Sequence, residues 1–320
     1  MARGFQIHSK KRGSDAAARG RRTLGTQLRR NWQYYLLLLP AFVYVLIFCY
    51  GPMYGLQIAF KNYKMSLGVW DSPWIGFRNF TDFFGGYYFW TLIRNTFVLS
   101  LSTLAFSFPV PIMIALLVNE LGGRFKRTLQ TILYAPHFIS TVVLVGMITI
   151  LFSPSMGIVN TFLNRLGVDS IYFMGDPNFF RPLYIGSDIW QHMGWNAIIY
   201  IAALSGVDPG LHEAAELDGA SRLQRIIHIN LPCILPTIII MLIMQLGNIA
   251  TISYEKVFLM QNDLNLGVSE VISTYVYKRG LVNNNYSFAT AVGLFNNIVN
   301  VTMLVIANKV SRKFSETSLF

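Results

Sequence analysis

The stretch EAAELDGASRLQRIIHINLP, Glu213 to Pro232, is charged and helix-forming, yet it lies between two apolar runs each long enough to cross a membrane. A charged surface helix held between two spans is a place where a partner docks. Asp208-Pro209 just before it reads as a helix start, with Asp as the N-cap and Pro at the first helical position. Leu211, Ala214, Ala215 and Leu217 give that helix a narrow apolar face, and Glu213, Glu216 and Asp218 decorate the rest. Gly219 stops it, because glycine enters the left-handed conformation without a side-chain penalty. A second short helix, Ser221 to about Asn230, runs into Leu231-Pro232. The loop, 206–231, is thus two helices hinged at a glycine, longer than the few residues that an ordinary hairpin connector needs. An Asp218–Arg222 pair four residues apart is the bland alternative role for Asp218.

Outward from this loop the chain is a membrane protein by composition. Of its 320 residues 53% are hydrophobic and 13% charged, against roughly 25% charged in soluble domains. The net charge of +11 does not argue for nucleic acid, because residues 1–33 hold nine Lys/Arg and one acid, Asp15. A basic tail beside a first span marks the cytoplasmic side. No cleavable leader is apparent in it. Cys49 and Cys233 fall in different spans and read as small packing residues rather than a disulfide.

Six spans follow: about Tyr34–Phe60, Thr91–Val118, Thr128–Phe152, Tyr184–Leu204, Leu231–Tyr254 and Phe288–Asn308. The GPMYG stretch, Gly51 to Gly55, loosens the first near its outer end. Residues 61–90 are rich in aromatics suited to a membrane interface. In 153–183, Ile158, Phe162 and Leu166 recur every four residues and predict a short amphipathic helix. In 255–287, VISTYVYKRG predicts another. Both tails and the two inner loops hold 17 Lys/Arg and the three outer segments 8, which places both termini and the charged loop in the cytoplasm. The organisation is a basic tail, 1–33, an all-α six-helix transmembrane domain, 34–308, and a C-terminal tail, 309–320.

Catalytic chemistry is not indicated. There is no GxxxxGK[ST] phosphate loop, no paired-histidine metal spacing among His8, His137, His192, His212 and His228, and no nucleophile elbow. Polar groups inside spans face a cavity or another helix. The pathway candidates are Gln191, Trp195 and Asn196 on the fourth span, Asn248 on the fifth, and Asn296 and Asn297 on the sixth, with His192, Gln245 and Asn300 beside them. Asn reads sugar hydroxyls and Trp stacks on sugar rings; the competing role is interhelical hydrogen bonding. Arg94, in an apolar run, reads as snorkelling to the outer surface or as meeting an acidic sugar, and its nearness to the aromatic outer segment favours snorkelling. Asp188 and Glu255 lie near span ends.

The residues Glu213-Ala214-Ala215, Asp218-Gly219-Ala220, Ile229 and Leu231-Pro232 resemble the EAA loop of ABC-importer permeases, with no gap in the spacing. The DGA form and Pro236 are similar to the carbohydrate-uptake, maltose-permease-like branch. Tyr184 to Ala220 looks more narrowly like permeases of the lipo-oligosaccharide and polygalacturonan type. The resemblance covers roughly Leu36 to Asn308 and implies the type I importer permease fold in a bacterial cytoplasmic membrane. It implies that Glu213, Ala214, Ala215, Asp218 and Gly219 dock in a cleft of a separate ATPase subunit. Two such ATPases, closing around ATP and Mg, would drive this chain and a second homologous permease from inward- to outward-facing. No cofactor is expected on this chain. An extracytoplasmic solute-binding protein would dock on 61–90, 153–183 and 255–287. The implied cargo is an oligosaccharide, uronate-containing ones included. The rivals are the same importer class for another small solute, an ion-gradient-driven secondary transporter, which would favour acids inside spans, and a membrane-embedded enzyme.

Overall fold

The computed structural model describes residues 31–314, so residues 1–30 of the basic tail and 315–320 lie outside the described residues. The described residues form helices and turns, with two isolated bridges, Lys61–Trp74 and Lys64–Gly68. The chain divides between Gln57 and Ile58 into two units.

The first unit is built on helix α1 (Trp32–Val45). A π turn at Leu46–Tyr50 and a single α turn at Gly51–Met53 follow it. Pro52 has no N–H to return to the preceding turn, which accounts for the change of winding at the GPMYG stretch. The helical run Trp32–Phe60 is 29 residues long, beyond the roughly 20 that span a bilayer.

The second unit opens with the aromatic segment, which holds α2 (Arg78–Phe84). Helices α3 (Phe89–Ser107) and α4 (Pro109–Asn119) join end to end into a 31-residue apolar run. The third span was expected to be one helix from Thr128 to Phe152, and here the structure differs. Helix α5 (Gly123–Tyr134) passes through a 3₁₀ turn at Ala135–Phe138, and α6 (Thr141–Leu151) leaves at 96° to it. Pro136 removes a donor at the break, and the Ser140 side chain then accepts from Val143 N at 3.4 Å to start α6.

Helix α7 (Ile158–Arg165) is the short amphipathic helix expected in 153–183. Helix α8 (Pro177–Leu204) begins earlier than the predicted fourth span, because Asp176 caps it and Pro177 occupies its first position. Its 28 residues are long enough to cross a membrane. Its polar side chains keep it out of the apolar class that the runs Phe89–Asn119, Arg222–Leu246 and Tyr286–Lys313 occupy. Helix α9 (Pro209–Leu217) ends at Gly219. The second loop helix runs into the fifth span, as expected. Helix α10 (Arg222–Arg225) continues through a π turn at Ile226–Asn230 into α11 (Leu231–Leu246), so the hinge leads straight into the fifth span. That span ends at Leu246 rather than Tyr254, and residues 247–253 are irregular. Helices α12 (Tyr254–Met260) and α13 (Ile272–Tyr277) follow, then a π turn at Lys278–Val282 and α14 (Tyr286–Phe314).

Helix α8 is the centre of this unit. Its outer half packs Tyr184 and Ile185 against Leu99 of α3, Val145 of α6 and Val257 of α12. Its inner half packs Ala197, Tyr200 and Leu204 against Ala115 of α4 and Ile234 of α11. Lipid tails are as apolar as these side chains, so close packing rather than water exclusion holds such helices together. Gly194 shows how close: a Cβ there would stand 2.1 Å from the Leu133 carbonyl oxygen of α5. Cys49 and Cys233 are exposed free thiols rather than the packing residues expected.

Candidate functional site

Two features of the second unit bear on function. The first is the charged loop. Asp208 Oδ1 accepts from Gly210 N at 2.9 Å, capping α9. At its other end Ala220 N donates to Ala215 O at 2.9 Å and Gly219 N to Glu216 O at 3.1 Å, a paired closure that needs a left-handed residue at 219. Gly219 has φ +79°, with open space around its missing Cβ. Across the hinge, Ser221 and Gln224 form a reciprocal cap: Ser221 N donates to Gln224 Oε1 at 2.7 Å and Gln224 N to Ser221 Oγ at 3.4 Å. The Arg225 guanidinium pairs with Glu216, so the ion pair spanning the hinge is Glu216–Arg225. At its base Asn230, fully buried, donates to Glu120 Oε1 at 3.4 Å. Glu213, Ala214, Asp218 and Gly219 are exposed, Ala215 is half-buried, and Leu217 is 91% exposed.

The second feature is a cavity of about 380 Å³ between α3, α8 and the end of α11. Ser100, Thr103 and Ser107 supply one wall, at helical spacing on one face of α3. Tyr184, Asp188 and Asn196 of α8 supply another, and Gln245, Asn248, Thr251 and Ser253 close the rest. Ser100 Oγ and Thr103 Oγ1 are buried with no partner among the described residues. Asp188 lies three turns inside α8. Ser107 donates to it at 3.2 Å, His192 Nδ1 is 3.4 Å away, and Lys256 Nζ 3.7 Å. Lys256 is 3% exposed and also donates to the Tyr184 carbonyl at 3.1 Å. Beside the apolar Leu104, Met244, Ile249 and Ile252, the lining offers hydroxyls, amides and one paired carboxylate, groups that suit a polyhydroxylated ligand.

The expected pathway residues separate into groups. Asn196 and Asn248 line the cavity. Gln191 is buried and donates to Ile139 O at 2.8 Å, satisfying the backbone at the break between α5 and α6. Trp195 stacks on His137 of the same break, 4.3 Å between ring centres and 4° between planes. Asn296 donates to Ala250 O at 3.2 Å. Asn300 accepts from Ala250 N at 2.9 Å and donates to Thr251 Oγ1 at 2.7 Å. Irregular backbone at membrane depth needs such partners. Asn297 is exposed on α14. Ser100, Thr103 and Ser107 were missed, although hydroxyls at i, i+3 and i+7 in an apolar run were a readable signal. Among the described residues no group of His, Cys, Asp and Glu could hold a metal ion.

A membrane-embedded helical unit with a polar cavity and an exposed hinged loop defines a transport component. The chain belongs to the family described as the binding-protein-dependent transport system inner membrane component, which matches residues 93–316. Protein LplB of Bacillus subtilis (strain 168) is 42% identical over 294 residues, 92% of each chain. The polygalacturonan/rhamnogalacturonan transport system permease protein YteP of the same strain is 40% identical over 301 residues, 94% of each chain. Among solved structures, a chain of a bacterial alginate ABC transporter in complex with alginate pentasaccharide-bound periplasmic protein matches with a TM-score of 0.85 and 40% identity. It covers 93% of this chain and 100% of that one. The family read from the EAA loop is thus the family found. The chain is an inner-membrane permease with the importer permease fold, a transport subunit rather than an enzyme.

Proposed function

We propose that this chain is one of two permease subunits of an ATP-driven importer of oligosaccharides, acidic ones above all. The observation that carries this reading is the joining, in one unit, of a hydroxyl- and amide-lined cavity to an exposed, glycine-hinged loop that leads directly into α11. Relatives named for polygalacturonan and alginate support an acidic cargo. Asn196 and Asn248 touch the sugar, with Ser100 and Thr103 as further hydroxyl partners. Gln191, Trp195 and Asn296 shape the walls by bracing the two irregular segments, and Asn297 points out of this chain toward the second permease.

Glu213, Ala214, Ala215, Asp218 and Gly219 form the surface that a separate ATPase grips. Because α10, the π turn and α11 are continuous, a push on α9 is delivered to the cavity wall at Gln245 and Asn248. ATP and Mg bind the ATPase subunits, two copies of them, and a solute-binding protein delivers cargo from outside. Six spans cross the membrane: Trp32–Phe60, Phe89–Asn119, the bent pair Gly123–Leu151, Pro177–Leu204, Arg222–Leu246 and Tyr286–Phe314. Both termini are cytoplasmic, as the Lys/Arg excess indicates. The test is purification of the chain from detergent-solubilised native membranes with mass spectrometry of what accompanies it. A second permease and a phosphate-loop ATPase are expected. The chain emerging alone, with its uptake activity intact, would overturn the proposal.

A further inference from the structure

The cavity wall holds one charged side chain, Asp188, already matched by Lys256 and His192. Sugar hydroxyls can be read there, but the carboxylates of an acidic oligosaccharide meet no free cation. A second concavity, on segments that the charge pattern places outside the membrane, supplies what the first lacks. It measures about 540 Å³ and lies between the start of α3 and residues 266–283, within the roughly 300–1,000 Å³ of small-molecule sites.

Its wall is a ladder of tyrosines. Tyr87 and Tyr88 meet edge to face at 5.2 Å, and Tyr88 and Tyr275 lie 6.4 Å apart. The Arg279 guanidinium sits 5.5 Å over the Tyr275 ring, and its Nε donates to the Tyr275 hydroxyl at 3.2 Å. Lys278 Nζ reaches both Glu270 oxygens, at 3.1 and 3.0 Å. The π turn Lys278–Val282 presents both cations, and such turns recur at functional sites. It is seated firmly on α14, since a Cβ at Gly280 would stand 2.5 Å from Ala289 Cβ. Tyr87 is 91% exposed and Arg279 is exposed, so neither ring nor guanidinium is packed in this chain's core.

We propose that this concavity is a receiving subsite for a uronate unit of the cargo. The Arg279 fork takes the carboxylate, a planar match that a point charge does not make. Tyr87 and Tyr88 take the apolar face of the sugar ring, and because Glu270 already pairs with Lys278, Arg279 is the cation that the carboxylate meets. The inference rests on the acidic-oligosaccharide reading above. A sugar subsite discriminates between charged and uncharged cargo, whereas a surface used only to seat a binding protein serves both alike.

The test uses the complete importer in vesicles with its binding protein, comparing wild type with Arg279→Gln, Tyr87→Ala and Arg279→Lys. Uptake of a galacturonate trisaccharide at saturating binding protein is measured beside that of its carboxyl-reduced counterpart. Docking affinity of the binding protein is measured separately. Arg279→Gln should lower acidic uptake about tenfold, the loss of one charge-assisted contact. Arg279→Lys should restore part of it, with docking affinity and neutral uptake unchanged. A fall in docking affinity that accounts for the lost uptake would overturn the proposal and assign the surface to the binding protein. No change in any readout would overturn it too. Wild-type vesicles that refuse the trisaccharide altogether would instead strike the functional reading on which it stands.

Discussion

In the proposed coupling, Gly219 is the residue on which the loop turns. Its φ of +79° is a conformation that a leucine adopts only under strain, although the space around it is open. Gly219→Leu should therefore leave the subunits assembled while ATP hydrolysis no longer drives uptake. Normal uptake by this variant in reconstituted vesicles would contradict the role. Lys256 offers a second residue-scale prediction. Removing one partner of a buried ion pair costs up to about 3 kcal/mol, and less here because Ser107 and His192 still face Asp188. Lys256→Met should lower the unfolding temperature of the purified complex clearly, and Lys256→Met with Asp188→Asn should lower it less than the single changes summed. Additivity would mean that the 3.7 Å contact does not couple them. The loop residues were legible because caps, hinge and spacing are local. The Asp188–Lys256 contact joins residues far apart in sequence and was not.

At the scale of elements, helix existence was legible and helix continuity was not. The long apolar runs announced most of the spans, yet the 96° break at Pro136 lay hidden in one of them. A proline in an apolar helix can kink it or be absorbed, as Pro109 is between α3 and α4, and local sequence does not decide which. The end of α11 at Leu246 was hidden for a related reason. The irregular segment 247–253 persists because Asn296 and Asn300, some fifty residues later, satisfy its backbone. Those asparagines, expected along the pathway, are thus seen to brace this segment beside the cavity. Close packing of α5 on α8 gives a prediction of its own. Gly194→Ala drives a Cβ to 2.1 Å from a backbone oxygen and should destabilise the complex by about 3 kcal/mol. Gly186→Ala, on the same helix with nothing within 4 Å, should be neutral. Equal melting temperatures for the two would refute the packing described.

For the whole molecule, composition was enough for a membrane protein, and the EAA loop was enough for its family; the charge asymmetry carries the proposal that both ends are cytoplasmic. The cavity was only partly legible, because a span's inward face depends on its rotation in the bundle. Asn196 and Asn248 were found by type, while Ser100, Thr103 and Ser107 emerged once α3 was seen to turn them toward α8. Six spans with both ends inside predict that single cysteines placed at Ser221 and Ser311, in a background lacking Cys49 and Cys233, react with a membrane-impermeant thiol reagent only after the cells are opened. One at Met156 should react in intact cells. The reverse pattern would invert the topology. The central claim, that ATP hydrolysis on a partner drives sugar through this chain by way of the 206–231 loop, has a direct measurement. Uptake of a galacturonate trisaccharide is followed in vesicles that hold the co-purified complex, with binding protein outside and ATP inside, with and without an ionophore. The account predicts uptake that requires ATP, ignores the ionophore and disappears in Gly219→Leu while hydrolysis continues. Uptake that survives without ATP and collapses with the ionophore would contradict it.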